Sequence, residues 1–205
     1  YPGMRMVGPN CLGVLVPPLG LNASFAAGMP PAGNVAFLTQ SGALGTAVLD
    51  RALEEGIGFS TVVSLGNMVE TDFGDLIDYL RDDPATDGML LYVESIRDAR
   101  RFLSAASAFT RQKPIIAYKA GRFAESARAA ASHTGAMAGE DAVFDAAFQR
   151  AGIQRVYEFE DLFACAEVLA RRRPVIGSRL AIVTNAGGPG IMATDAHLAA
   201  GGSLA

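Results

Sequence analysis

A doubly wound α/β sheet of parallel strands is the architecture this sequence predicts, on three observations. From residue 34 onward, short apolar runs of strand length alternate with longer amphipathic stretches of helical period. The apolar runs are nearly continuous, as strands covered by helices on both faces must be. Gly, Pro, Asp and Ser mark the changes of period, where connections belong.

The strands, in order, are NVAFLT (residues 34–39), STVVSL (60–65), GMLLYVE (88–94), PIIAYK (114–119) and RVYE (155–158). Helices fall between them at residues 43–55, 73–82, 98–111 and 140–151, and one more follows at 161–172. Alternation of this kind predicts a flavodoxin-like winding. Upstream, MRMVGPNCLGVLVPP and the Gly-, Ala- and Pro-rich LGLNASFAAGMPPAG read as the last strand of one unit and the linker leaving it. Downstream of Pro174, RLAIVTNAGGPGIMATDAHLAA repeats the opening of the residue-34 unit: buried strand, Gly-rich turn, helix. Set side by side, Thr39 falls on Thr184 and Gly42 on Gly187, an internal echo. The chain opens on Tyr1 and ends in AAGGSLA as a helical pattern begins to repeat, so it reads as a fragment of something larger.

Bulk numbers narrow the chemistry. Half of the 205 residues are apolar and 19% are charged, an ordinary composition for a soluble core. A net charge of −4 leaves no broad positive field for a phosphate backbone, which argues against nucleic acid as a partner. Cys11 and Cys165 lie far apart, and with only His133 and His197 to join them no zinc-ligand spacing arises. No apolar run reaches the length of a membrane span, and no basic-then-apolar leader opens the chain. A reducing cytoplasm is the expected setting.

In an open α/β sheet, ligands gather beyond the carboxyl ends of the strands. TQSGALG (residues 39–45) leaves the first strand and enters a helix there, so its backbone N–H groups and the helix dipole favour an anion. Ser41 can cap that helix or donate its hydroxyl, and Gly42 permits close approach. TNAGGPGIM (residues 184–192) has the same character, with Asn185, Gly187 and Gly188 at its start. Neither turn matches the P-loop or the full dinucleotide fingerprint, and either can be a capped helix start with no ligand. Two of them in neighbouring units can address one phosphate together. Glu94 ends the strand GMLLYVE at the same edge, where a carboxylate can fix the tautomer of an imidazole or simply meet solvent. His133 lies in the long passage AGRFAESARAAASHTGAMAG, which is rich in small residues; loops of that length in compact domains tend to be functional. Cys11, in GPNC, reads either as a reactive thiol or as a small buried residue beside a turn.

Taken together these motifs resemble the nucleoside-diphosphate-forming acyl-CoA synthetase superfamily, which contains succinyl-CoA synthetase and the ADP-forming acetyl-CoA synthetases. GPNCLG (residues 8–13) looks like the segment ending the family's CoA-binding Rossmann domain, and LTQSGALG like its first phosphate-binding helix start. VESI places Glu94 at the family's histidine-orienting glutamate, SHTGAMAG is similar to its phosphohistidine loop, and TNAGGPGIMATDA to its second phosphate-binding helix start. The order is the family's, over essentially the whole chain.

The resemblance implies residues 1–31 as the end of a CoA-binding Rossmann domain with its linker, 32–175 as a succinyl-CoA synthetase-like flavodoxin domain, and 176–205 as the start of a second flavodoxin-like domain. It implies an acid-thiol ligase in which His133 is the nucleophile and Glu94 orients it. Ser41 and Gly42, with Asn185, Gly187 and Gly188, would hold phosphate; Asn10 and Cys11 would meet CoA. ADP or ATP and Mg2+ would be held by an ATP-grasp domain outside this sequence, in cis or on a partner subunit, in an oligomer. Two other readings stand beside it: an acyl-CoA-sensing core fused to a protein acetyltransferase, and a flavodoxin-like electron carrier.

Overall fold

The computed structural model describes residues 3–123, 126, 140–170, 177 and 179–205, and the chain divides into two compact units, Tyr1–Arg172 and Arg173–Ala205. The first unit is built on β1 (Gly13–Val16), β2 (Leu21–Ser24), β3 (Ala32–Thr39), β4 (Phe59–Ser64), β5 (Gly88–Val93), β6 (Ile115–Lys119) and β7 (Gln154–Val156). They form one sheet in the order β2-β1-β4-β3-β5-β6-β7. The last five in that order pair in parallel, which is the flavodoxin-like order with its switch point between β3 and β5.

Among the described residues five helices wind the sheet: α1 (Gly42–Glu55), α2 (Phe73–Arg81), α3 (Ala99–Thr110), α4 (Asp141–Ala151) and α5 (Phe159–Ala170). Period-2 alternation along β3 sends Val35 and Phe37 to one face and Ala36 and Leu38 to the other. The first face packs Val48, Leu49 and Ala52 of α1 with Leu162, Phe163 and Ala166 of α5. The second packs Phe73 and Ile77 of α2, Phe102 and Phe109 of α3 and Phe148 of α4. Each Val, Leu, Ile or Phe among them, fully buried, contributes about 1.5–3 kcal/mol before entropy is charged against it. The helix starts are set locally. Asp72 and Asp75 close a reciprocal capping box on α2, and the Asp98 carboxylate accepts the Arg101 N–H at the start of α3.

The edge of the sheet differs from the expectation of parallel strands throughout. Residues 13–24, read from sequence as a strand of a preceding unit and its linker, form a β1-β2 hairpin that pairs antiparallel with β4. Pro17 and Pro18 lie in the short 3-10 turn that joins the two strands, and Gly20, at φ +64°, closes it. Proline that looks like a linker signal is here confined to a turn at the sheet edge, where no ladder donor is lost.

The second unit is a strand–helix–strand piece, β8 (Arg179–Leu180), α6 (Gly187–Ala199) and β9 (Ser203–Leu204), with β8 and β9 parallel. The internal echo is geometric as well as sequential. Thr39 Oγ1 accepts the Ser41 N–H at 3.0 Å and donates to the Ser41 carbonyl at 3.1 Å; Thr184 Oγ1 does the same for Ala186, at 3.1 Å each way. Among the described residues no helix is long and apolar enough to cross a membrane.

Candidate active site

The switch point between β3 and β5 opens into a cleft of about 740 Å³. Its floor comes from the residues that follow those two strands, Gln40 to Ala43 on one side and Glu94 with Ser95 on the other. The walls come from the loop after β4, Gly66 to Met68, and from the adjoining N-terminal segment Asn10, Cys11 and Leu12, with Phe25 at the rim. The walls are laced to each other through backbone and side chain. The Asn67 N–H donates to the Pro9 carbonyl at 3.0 Å, the Val69 N–H to the Gly8 carbonyl at 3.1 Å, and the Leu12 N–H to the Ser64 hydroxyl at 3.0 Å. Gly66 is required at this contact: φ is +54°, and a Cβ there would stand 2.2 Å from the Pro9 carbonyl oxygen.

The start of α1 turns backbone donors toward the cleft. Ser41 caps the helix by accepting the Leu44 N–H at 3.2 Å, and the Gly45 N–H returns to the Ser41 carbonyl at 3.0 Å. The N–H groups of Gly42 and Ala43 have no intrahelical acceptor at these positions, and both residues line the cleft. No acidic side chain occupies the first turn of α1, in contrast to α2 with its Asp75. The positive end of the helix dipole is therefore uncompensated from within its own helix.

Glu94 faces this helix start across the floor. Its backbone is held by a residue that sequence reasoning passed over: the Gln40 side-chain carbonyl accepts the N–H of Glu94 at 2.7 Å and of Ser95 at 2.9 Å, and the Gln40 amide nitrogen donates to the Ser95 hydroxyl at 3.1 Å. Behind the floor, Tyr92 stacks on Tyr118 at 5.7 Å. Burial first, then the Glu94 carboxylate and Tyr118, pushes the Tyr92 phenol up to about 12. Lys119, at the end of β6, is 2% exposed; its ammonium donates to the Ala120 carbonyl and lies 4.5 Å from the centre of the Phe144 ring. Burial pulls its pKa down, with Asp141 and Glu94 opposing and Arg155 reinforcing.

Five of the residues singled out from sequence, Ser41, Gly42, Glu94, Asn10 and Cys11, thus line one cleft. Asn185, Gly187 and Gly188 belong to the second unit, where α6 begins at Gly187 with Ala186 in the cap position and no side-chain cap. His133 lies outside the described residues. Gln40, Ser95, Asn67, Met68 and Phe25 are additions from the structure. A polar residue directly between a strand end and a helix cap was the only available signal for Gln40. Among the described residues no group of three or more His, Cys, Asp or Glu side chains could hold a metal.

Residues 32–169 match the family described as succinyl-CoA ligase like flavodoxin domain. The chain is 44% identical over 193 residues to the acetate–CoA ligase [ADP-forming] II subunit alpha of Pyrococcus furiosus, covering 94% of this chain and 42% of that protein. It is 44% identical over 192 residues to the acetate–CoA ligase [ADP-forming] of Methanocaldococcus jannaschii, covering 94% of this chain and 27% of that protein. Its fold superposes with a TM-score of 0.93 on the dinucleotide forming acetyl-coenzyme A synthetase 1 of Ca. Korarchaeum cryptofilum, solved in complex with phosphate and ADP. That match is 42% identical and covers 99% of this chain and 44% of that one. The chain therefore spans less than half the length of these relatives.

Proposed function

The chain belongs to the succinyl-CoA ligase-like flavodoxin domain family, and from that membership we propose that it is the central part of an ADP-forming acyl-CoA synthetase, an acid-thiol ligase that works through a phosphohistidine. The observation that carries the reading is the juxtaposition of Glu94 with the uncompensated start of α1 on the floor of one cleft. Phosphoryl transfer asks chiefly for position and for stabilisation of spread negative charge, and this floor offers both.

In the proposed sequence, a phosphate oxygen attacks the thioester carbonyl of an acyl-CoA, the C–S bond breaks, and CoA leaves with the proton. The N–H groups of Gly42 and Ala43 and the Ser41 hydroxyl hold the phosphate through this step. An imidazole nitrogen of His133 then attacks the phosphorus of the acyl phosphate, and the P–O bond breaks to release the carboxylate. Glu94 accepts the N–H of the other ring nitrogen, which fixes the reactive tautomer and stabilises the cation that forms. A terminal phosphate oxygen of ADP finally takes the phosphoryl group from His133 and yields ATP. Every step reverses for synthesis. Asn10 and Cys11 stand on the wall proposed to meet CoA, and Asn185, Gly187 and Gly188 form the second phosphate-binding helix start.

Nucleotide and Mg2+ we assign to an ATP-grasp domain outside these residues, on the same chain or on a partner subunit in an oligomer; the magnesium would neutralise the nucleotide phosphates there. The Pyrococcus furiosus relative is named as an alpha subunit, which supports a partner in trans. Cys11 and Cys165 are both free, which fits a reducing cytoplasm. The relatives named above are CoA ligases, so the acetyltransferase-fusion reading has no support from them. The test is turnover by the full-length protein with its nucleotide-binding partner, given acetyl-CoA, ADP and phosphate. ATP, free CoA and acetate should form in equal amounts, and release of CoA at the same rate without phosphate or ADP would contradict the assignment.

A further inference from the structure

We infer that Gln40 is a positioning residue for the imidazole step, acting through Glu94. The inference rests on the reading of Glu94 given above and goes beyond it, to the group that fixes where that carboxylate starts from. Gln40 is 8% exposed, a buried neutral amide at the point where β3 ends. β5 has just run out at Val93, so the N–H groups of Glu94 and Ser95 have lost their strand neighbour. The Gln40 side chain replaces that neighbour, its carbonyl accepting both N–H groups at 2.7 and 2.9 Å while its NH2 takes the Ser95 hydroxyl at 3.1 Å. Both N–H groups can only donate, so the orientation of the amide is fixed by its partners. From the other side, the Ala120 N–H holds the Val93 carbonyl at 2.9 Å. The Glu94 backbone is clamped between β3 and β6.

The clamp ties two parts of the mechanism to one residue. The main chain of Gln40 leads directly into Ser41 and Gly42, the phosphate cradle, while its side chain sets the backbone of Glu94 across the floor. The spacing between anion and carboxylate is thereby fixed through a single amide. Glutamine does this without adding charge; a carboxylate at position 40 would put a second negative group beside Glu94 and the phosphate. Displacement of a reacting group by about 1 Å costs about a hundredfold in rate, so loosening this clamp should be read in the chemistry more than in the fold.

The experiment is a double-mutant cycle in the full-length protein with its partner. Formation of phosphohistidine from acetyl-CoA and labelled inorganic phosphate, without nucleotide, is followed in single turnover. Gln40→Met keeps the length of the side chain and removes only its hydrogen bonds; Gln40→Ala is the second variant, and thermal melting reports whether each is folded. Gln40→Met should slow labelling by about tenfold to a hundredfold, with phosphate affinity changed far less. Combined with Glu94→Gln, it should add little to the loss that Glu94→Gln causes alone. The inference is overturned, with the Glu94 reading intact, if Glu94→Gln is slow and Gln40→Met either labels at the wild-type rate or multiplies the Glu94→Gln defect in full. If Glu94→Gln itself labels at the wild-type rate, the functional reading falls and the inference with it.

Discussion

Tyr92 reports on Glu94, two residues along the chain and just past the end of β5. Its phenol is half-buried against Tyr118 and Phe159 and carries part of the Glu94 field, which together raise its pKa to about 12. A phenol whose folded pKa lies above its unfolded value of about 10 stabilises the fold below pH 10. That contribution is lost as pH climbs from about 10 through about 12. A titration of tyrosinate absorbance, wild type against Tyr92→Phe, should show one tyrosine still neutral when the exposed ones have ionised. Glu94→Gln should bring that late titration to lower pH, because the carboxylate contributes to the shift. An unchanged titration in Glu94→Gln would mean that the carboxylate does not face this edge. At this scale, the shared cleft position of Ser41, Gly42 and Glu94 was legible because each stands at a strand end or helix start on one edge of the sheet. Gln40 was not, because its partners Glu94 and Ser95 are 54 and 55 residues away and only the parallel register of β3 and β5 brings them together.

Capping separates what α1 does for the fold from what it is proposed to do for phosphate. Ser41→Ala and Asp72→Ala each remove one side-chain cap, on α1 and α2, and each should cost about 1 kcal/mol in denaturant unfolding. Only Ser41→Ala should also raise the KM for phosphate, since Asp72 closes a capping box at a helix start away from the cleft lining. Equal effects on phosphate KM would deny the α1 start its role. Gly66→Ala should cost roughly 2 kcal/mol, from its positive φ and from the added Cβ meeting Pro9. The same variant should weaken binding in the cleft, because that contact laces the two walls. The helices and parallel strands were readable from period and punctuation to within a few residues at each end. The β1-β2 hairpin was not, because an edge strand broken by Pro17 and Pro18 has the composition of a linker, and its pairing with β4 spans the chain between them.

Across the molecule, two apolar cores hold the sheet from both faces, and the cleft depends on them only for its frame. Phe102, 1% exposed and packed against Phe73 and Phe148, belongs to the core on the face of α2, α3 and α4. Phe102→Ala should cost about 3–5 kcal/mol of stability while the folded fraction keeps its phosphate affinity. The parallel part of the flavodoxin-like winding was legible because apolar strand-length runs and amphipathic helical stretches alternate in a strict rhythm. What no rhythm contains is the chemistry of the proposed nucleotide-binding partner, and the chain spans less than half of the relatives it matches. On the proposed reading, these residues by themselves should show no turnover with ADP, and adding the proposed nucleotide-binding part should restore it. One covalent bond carries the proposed chemistry. Incubation of the full-length protein and partner with labelled ATP and Mg2+ should place acid-labile, base-stable phosphate on His133, confirmed by mass spectrometry of the peptide and absent from His133→Ala. Equal labelling of His133→Ala, or a wild type that turns over without carrying the label, would contradict the phosphohistidine relay.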